Sequence, residues 1–411
     1  MAQFRPFEHP GTPIEEQYMS WNEMIKNPYN KNTVDAYTRT RVILMNGIEN
    51  NAVITSHAMD RMLGRTLDNT EIKAGLAAIR RMDSQHQQLV EWLNPADQTI
   101  LETTIGYEQV AVDLTANLAK NEPDPYHKQV LDFALLEDFD HLYRYGCLME
   151  ALENKDPNNI TQGKTDIKPG RPTVIEHRHP YDSLRMHYNK DTADAKTKLN
   201  HLTIVSGEQQ TMLYYKTHGS MLADDLSRKL YAEIAEIEQQ HVSQYEMVGD
   251  PAETMLEKAT MIQLNEAYNY YSCMQTETDP RIRKIWEHLF YDEMGHTYMC
   301  EALLKKYEGR DLMDLLKTDV IEPLIVFEPN KDYVNMVLDT QVDLQPYNMR
   351  FMRTRDLPSN WASFDYQRKV NAGGAPSETV VHLLDRGLAS MAYLGPAQRA
   401  LIEMANRASA A

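Results

Sequence analysis

The sequence predicts an all-α protein of two tandem four-helix bundles with a C-terminal helical extension, and three observations carry that expectation. The chain repeats itself: Tyr29-Asn30-Lys31-Asn32-Thr33-Val34-Asp35-Ala36-Tyr37-Thr38 returns as Tyr188-Asn189-Lys190-Asp191-Thr192-Ala193-Asp194-Ala195-Lys196-Thr197, at an offset of 159. Long stretches of both copies carry apolar residues at helical spacing with little Pro or Gly. Inside those stretches, acidic-x-x-His pairs recur at an offset of 155: Asp83/His86 with Glu238/His241, and Asp138/His141 with Glu293/His296.

Residues 1–33, rich in Pro, Gly and polar side chains, read as an N-terminal arm. Four helices fit the first repeat (34–153), over about 34–62, 70–93, 96–120 and 126–153. Asn94-Pro95 and Asn121-Glu122-Pro123-Asp124-Pro125 supply its breaks, because proline stops one helix and opens the next. After a linker at 154–191, four more fit the second repeat (192–310), over about 192–216, 222–248, 252–275 and 280–307. Gly219, Gly249-Asp250-Pro251 and Asp279-Pro280 punctuate it. Pro172-Thr173-Val174-Ile175 and Pro323-Leu324-Ile325-Val326 read as short β-like runs after each repeat. In the extension (311–411), residues 345–375 read as irregular, Ser377 as a helix cap and Pro396 as the opening of a last helix.

Composition excludes several function classes. A formal net charge of −18 argues against a nucleic-acid surface, which needs clustered Lys and Arg. The three cysteines, Cys147, Cys273 and Cys300, form no Cys-x-x-Cys pair, which excludes zinc-finger, rubredoxin-like and thioredoxin sites. Residues 1–20 hold no basic-then-apolar leader and no run approaches 18 apolar residues, so a cytoplasmic protein without a membrane partner is expected. The 23 tyrosines against 8 phenylalanines point to hydrogen bonding in the interior, since a buried hydroxyl needs a partner.

The acidic-x-x-His pairs carry the chemistry. Positions i and i+3 share a helix face, so a carboxylate and an imidazole so placed can ligate one metal ion or two adjacent ones. Even mixing of 14 His and 60 acidic residues among 411 gives about two such pairs by chance; six occur. Asp124/His127 spans a turn and Glu176/His179 lies in the linker, so both read as accidental. Glu176-His177-Arg178-His179 with His187 reads as a loop, with a surface metal or anion site as the sharper alternative.

The other four pairs fall mid-helix on the second and fourth helices of each repeat. In repeat two, Glu208 and Glu266 stand on the first and third helices, and the intervals Glu208–Glu238–Glu266–Glu293 are 30, 28 and 27 residues. Each interval is half a helix up, a turn and half a helix back, so all four levels coincide. The predicted core of repeat two therefore holds Glu208, Glu238, His241, Glu266, Glu293 and His296. Four carboxylates cannot persist in an apolar core uncompensated, and two divalent ions supply four positive charges.

The corresponding set in repeat one is Glu49, Asp83, His86, Glu108, Asp138 and His141. Two shorter Asp side chains soften it. Its third-helix member fits only with compensating loop lengths, because ungapped alignment puts Ala111 opposite Glu266. Cys273 and Cys300 lie in helices near the repeat-two ligands and read as buried, inert thiols.

One Glu, then Glu-x-x-His, then Glu, then Glu-x-x-His on four successive helices resembles the ferritin-like di-iron carboxylate proteins. Asp292-Glu293-Met294-Gly295-His296 is similar to the fourth-helix run of ribonucleotide reductase small subunits, bacterial multicomponent monooxygenases and rubrerythrins. That likeness implies that Asp292 supports a ligand histidine. Glu238-x-x-His241-x-x-x-Tyr245 resembles the reductase segment whose tyrosine is redox-active, which makes Tyr245 the catalytic candidate; a tyrosine packed in the core is the alternative. Gly249-Asp250-Pro251 departs from the ferritin pattern by leaving no room for a long crossover. It implies a simple up-down-up-down bundle, or helices exchanged between repeats or subunits.

The resemblance implies an oxidoreductase with two iron ions per site, manganese being possible, that activates dioxygen or peroxide on an organic substrate. No flavin, nicotinamide or iron–sulfur motif is present, so electrons would come from an external reductase or the substrate, and a homo-oligomer is compatible. The alternatives are a non-enzymatic, ferroxidase-like iron handler and a scaffold with vestigial ligands.

Overall fold

In the computed structural model, which describes residues 3–66 and 70–385, the chain is mostly helical. Eight long helices dominate: α1 (Ala36–Thr66), α2 (Thr70–Glu91), α3 (Ile100–Asn121), α4 (Pro125–Glu153), α5 (Ala195–His218), α6 (Asp225–Glu246), α7 (Met255–Thr276) and α8 (Pro280–Glu308). None of the described helices is long and apolar enough to cross a membrane.

The duplication extends to the helix ends. α1 and α5 begin 159 residues apart, while α2/α6, α3/α7 and α4/α8 match end to end at 155. Local sequence sets those ends. Thr99 with Glu102 and Thr254 with Glu257 form matching capping boxes at the starts of α3 and α7. Asp124-Pro125 and Asp279-Pro280 open α4 and α8, the aspartate carboxylate accepting from first-turn N–H groups and the proline fixing φ where no donor is needed.

Helix packing departs from the tandem arrangement. α1 packs on α2 and α7, and α8 on α7 and α2; α3 packs on α4 and α5, and α6 on α5 and α4. Each closed set of four thus takes its first helical hairpin from one repeat and its second from the other. Of the two topologies that the tight turn at 249–251 left open, this is exchange between repeats. The sets meet through α1, α3, α5 and α7. Gly47 lets α5 approach α1 closely, since a Cβ there would lie 2.4 Å from Gln210 Cδ. Gln210 donates to Ile43 O and accepts from Asn46, and Asn51 donates to Ser206, so polar contacts fix this crossing.

The smaller elements correct several expectations. Thr173–Ile175 is a 3-10 turn and 323–326 has no regular secondary structure, so neither β-like run is a strand. Residues 345–375 are less irregular than expected, with a hairpin of β1 (Leu344–Tyr347) and β2 (Arg350–Arg353) followed by a helix at Ala362–Val370. Ser377 does not cap: it lies inside the helix Pro376–Asp385 and donates both N–H and Oγ to Glu233 on α6. The helix expected at Pro396 falls outside the described residues.

Candidate metal centre

Exchange of hairpins redistributes the twelve predicted ligands. They form two buried groups, neither of which belongs to a single repeat. Centre 1 gathers Glu49 (α1), Asp83 and His86 (α2), Glu266 (α7), and Glu293 and His296 (α8); centre 2 gathers Glu108 (α3), Asp138 and His141 (α4), Glu208 (α5), and Glu238 and His241 (α6). The predicted repeat-two set is therefore split: Glu208, Glu238 and His241 face Asp138, whereas Glu293 faces Glu49 and His86. The physical reason is that every hairpin carries the same ligand levels, so any two hairpins can complete a site.

In centre 1, one donor atom from each of Glu49, Asp83, His86 and Glu293 lies within 4.8 Å of the others. His86 Nδ1 is 2.8 Å from Glu293 Oε1 and 3.5 Å from Glu49 Oε1. His296 Nδ1 is 2.9 Å from Glu293 Oε2 and 3.2 Å from Asp83 Oδ1. Glu266 Oε2 accepts from Gln263 Nε2, and its carboxyl is pushed well above the usual range by burial and by the charges of Glu293, Asp83 and Glu49.

In centre 2, Asp138, Glu208, Glu238 and His241 form one such group and Glu108, His141 and Glu238 an adjoining one. His241 Nδ1 is 3.3 Å from each of Asp138, Glu208 and Glu238, and His141 Nδ1 is 3.0 Å from Glu238 Oε1. No compensating loops are needed for Glu108. α3 and α7 keep strict register, Glu108 occupies the position of Gln263, and it reaches the cluster from one turn earlier on the same face.

All four histidines turn Nδ1 toward the carboxylates, and the outer Nε2 of His296, His141 and His241 meets a hydrogen-bond partner. His296 Nε2 lies 2.7 Å from Gln17 Oε1 and His141 Nε2 3.0 Å from Glu176 Oε2. His241 Nε2 lies 2.7 Å from Glu137 Oε2, and His86 Nε2 3.5 Å from Asp292 Oδ2. Asp292, expected to support a ligand histidine, lies beside His86, which belongs to the other repeat. Partners that orient a ring in this way also fix which nitrogen is free to ligate.

Burial and neighbouring charges set the electrostatics of both clusters. Burial raises Glu49 to about 8 and, with neighbouring charges, lifts Glu108 and Glu208 well above the usual range. Burial opposes charging His296 too, but Glu293 and Asp83 outweigh it and raise the imidazole to about 10. Burial alone would raise Glu293, but His296 and His86 outweigh it and hold this carboxyl down at about 2. Glu49 Oε2, both Asp83 oxygens and Glu266 Oε1 accept no hydrogen bond, nor do Glu108 Oε2, Asp138 Oδ1, Glu208 Oε1 and Glu238 Oε2. Buried, converging carboxylate oxygens without a hydrogen bond, beside imidazole Nδ1 atoms, could hold metal ions.

The sequence reading missed several contributors. Glu176, taken as an accidental linker residue, is fully buried against His141, and Arg178 beside it donates to Glu137. Its counterpart is Gln17, also 159 residues away; Pro10-Gly11-Thr12-Pro13 and Pro169-Gly170-Arg171-Pro172 are the signal that each repeat starts with this arm. Both arms lie tight on a fourth helix of the other repeat, with Thr12 N donating to Tyr291 O and Arg171 N to Leu136 O.

Tyr245 is buried 6.5 Å from the His241 ring, but its hydroxyl has no partner among the described residues. The tyrosines that touch ligands are Tyr270, donating to Glu49 Oε1, and Tyr215, donating to Glu108 Oε1, each at 2.5 Å. His127 pairs with Glu122 away from both centres, His187 is exposed, and all three cysteines are buried. Comparisons with protein-family models, curated proteins and solved structures found no match to the chain.

Proposed function

We propose that the chain is a ferritin-like di-metal carboxylate oxidoreductase that uses dioxygen or peroxide, with an organic substrate and an external reductase as its partners. The reading takes each set of four helices as one bundle and each centre as a site for two iron ions, with manganese as the alternative. The observation that carries it is the twofold recurrence of four buried carboxylates and two inward Nδ1 atoms on four helices, with carboxylate oxygens left unpaired. When bound, such a metal pair supplies Lewis acidity and electrons for reducing dioxygen or peroxide.

The protein's own groups then have definite tasks. Tyr270 and Tyr215 each hold one oxygen of Glu49 and Glu108, restricting how those carboxylates turn. Gln17, Glu176 and Glu137 hold three imidazoles by Nε2 so that Nδ1 stays aimed inward. None of the twelve ligand candidates is more than 2% exposed, so bulk water is excluded from both clusters.

Metal content and oxygen consumption test the reading, on protein expressed with iron and purified without oxygen. About four iron atoms per chain and oxygen uptake on reduction are expected. Iron held without oxygen uptake would shift the reading to iron handling. Zinc, or no metal, would leave a scaffold.

A further inference from the structure

A pocket of about 440 Å³ opens where the start of α1 meets the start of α3 and the segment after α4, and none of the twelve ligand candidates lines it. That volume lies in the range of small-molecule sites. Arg39 forms part of its wall. This residue is 1% exposed, its Nη1 donates to Ile160 O at 2.7 Å, and its Nε has no acceptor among the described residues. Arg39 forms no ion pair there either. The buried acid of the same wall, Glu102, is already held by Lys31 at 3.0 Å and Lys155 at 2.9 Å.

The other half of the duplication keeps this frame. Lys198 stands for Arg39 and donates to Leu315 O as Arg39 does to Ile160 O. Glu257 pairs with Lys190 and Arg310 as Glu102 does with Lys31 and Lys155. Tyr188 OH donates to Glu253 Oε1 at 2.8 Å, and Tyr29 OH to Gln98 Oε1 at 2.9 Å. The difference lies in charge. Gln98 replaces Glu253, and Asn32 and Asn159 replace Asp191 and Asp314. Burial lowers the Lys198 ammonium, and Glu253 is the first of the charges that oppose this. Arg39 therefore keeps the place of the buried cation while its countercharge has become an amide. A buried charge is stable only when it is paired, so an anion from solution suits this wall.

We propose that the pocket binds a small hydroxylated carboxylate, with its anionic end on Arg39 and its hydroxyls on the amides of Gln98, Asn32 and Asn159. A guanidinium matches a carboxylate through charge-assisted N–H donors. Each amide both donates and accepts, as a hydroxyl does. An alkyl acid would satisfy Arg39 but leave the three amides without partners.

Gluconate is the probe, titrated by calorimetry into the full-length protein. Hexanoate, which keeps only the charge, and glucose, which keeps only the hydroxyls, are the controls. Saturable gluconate binding is expected, about tenfold or more tighter than either control. Gln98→Glu restores the acid of the other half. It should weaken gluconate about tenfold or more, raise the melting temperature of the ligand-free protein and leave iron content unchanged. Arg39→Gln should abolish binding; if that variant folds poorly, Gln98→Glu alone decides. Absence of gluconate binding, or an affinity that Gln98→Glu does not alter, would overturn the site. Hexanoate binding as tightly as gluconate would overturn the ligand class.

Discussion

Centres 1 and 2 carry the same ligand types on equivalent helices, yet their surroundings have diverged. Centre 1 has a neutral amide, Gln17, behind His296, with Ser56, Leu76 and Cys300 on the surrounding helices. Centre 2 has a carboxylate, Glu176, behind His141, a buried Glu137 held by Arg178, and Tyr215, Tyr231 and Tyr145 at the positions of Ser56, Leu76 and Cys300. The difference teaches that ligand spacing constrains the helices strongly, whereas the residues one turn away are free to give each centre its own packing and charge.

The largest expected effect tests whether the centres are built across the repeats. His86→Ala and His296→Ala strike one centre although they lie in different repeats. The double variant should therefore lose about half the iron, no more than either single variant, because removing one ligand already opens the pair. His241→Ala with His296→Ala, both in repeat two, should lose nearly all of it. The reverse pattern in metal analysis would restore the tandem arrangement. Chelation should lower the melting temperature in the same order, since a metal held only by the native state adds several kcal/mol of stability.

How much was legible in the sequence follows from which interactions are local. Helix ends were readable because Thr99, Asp124, Thr254 and Asp279 cap their own helices. Ligand levels were readable because the i, i+3 rule and the repeat both act along the chain. Partnering was not: hairpin α1–α2 meets the same chemistry in α3–α4 as in α7–α8, and the choice depends on long-range packing such as Gly47 against Gln210. Gln17 and Glu176 escaped notice because an irregular arm has no periodicity to mark them, although Pro-Gly-x-Pro did. Among 23 tyrosines, nothing local separates Tyr215 and Tyr270, which reach ligands on other helices, from Tyr245, which has no such bond.

A smaller effect separates the charges behind the histidines. Arg178→Ala leaves Glu137 buried with a weaker countercharge, Arg171 at 3.8 Å, and should cost about 3–5 kcal/mol and empty centre 2 first. His288→Ala removes a half-exposed group 3.6 Å from Asp292 in centre 1 and should stay within about 0.5 kcal/mol. Denaturant titration with metal analysis would tell these apart; equal costs would mean that the two surroundings are interchangeable. Next in size, Glu176→Ala should lower metal affinity at centre 2 about 10–100-fold and spare centre 1. Glu176→Gln copies the arm of centre 1 and should cost less than about tenfold.

The smallest effect concerns a pair of positions away from both centres. Tyr37 and Asp113 in one half correspond to Lys196 and Tyr268 in the other. Burial pushes Asp113 up to about 7, against a hydrogen bond from Thr165, and pushes Lys196 down to about 7, where it donates to Pro323 O and Tyr268 OH. Between about pH 4 and 7 the native state binds more protons at Asp113 than the unfolded chain does, so its contribution is lost as pH rises through 7. Between 7 and the usual lysine range the native state binds fewer at Lys196, so that contribution is lost as pH falls through 7. Asp113→Asn should therefore stabilise by about 1–2 kcal/mol at pH 8 and by nothing near pH 4. Lys196→Met should stabilise near pH 6 and, having lost two hydrogen bonds, destabilise above pH 10. Melting curves of both variants across that range would decide it, and parallel pH profiles would mean that the halves bury equivalent charges after all.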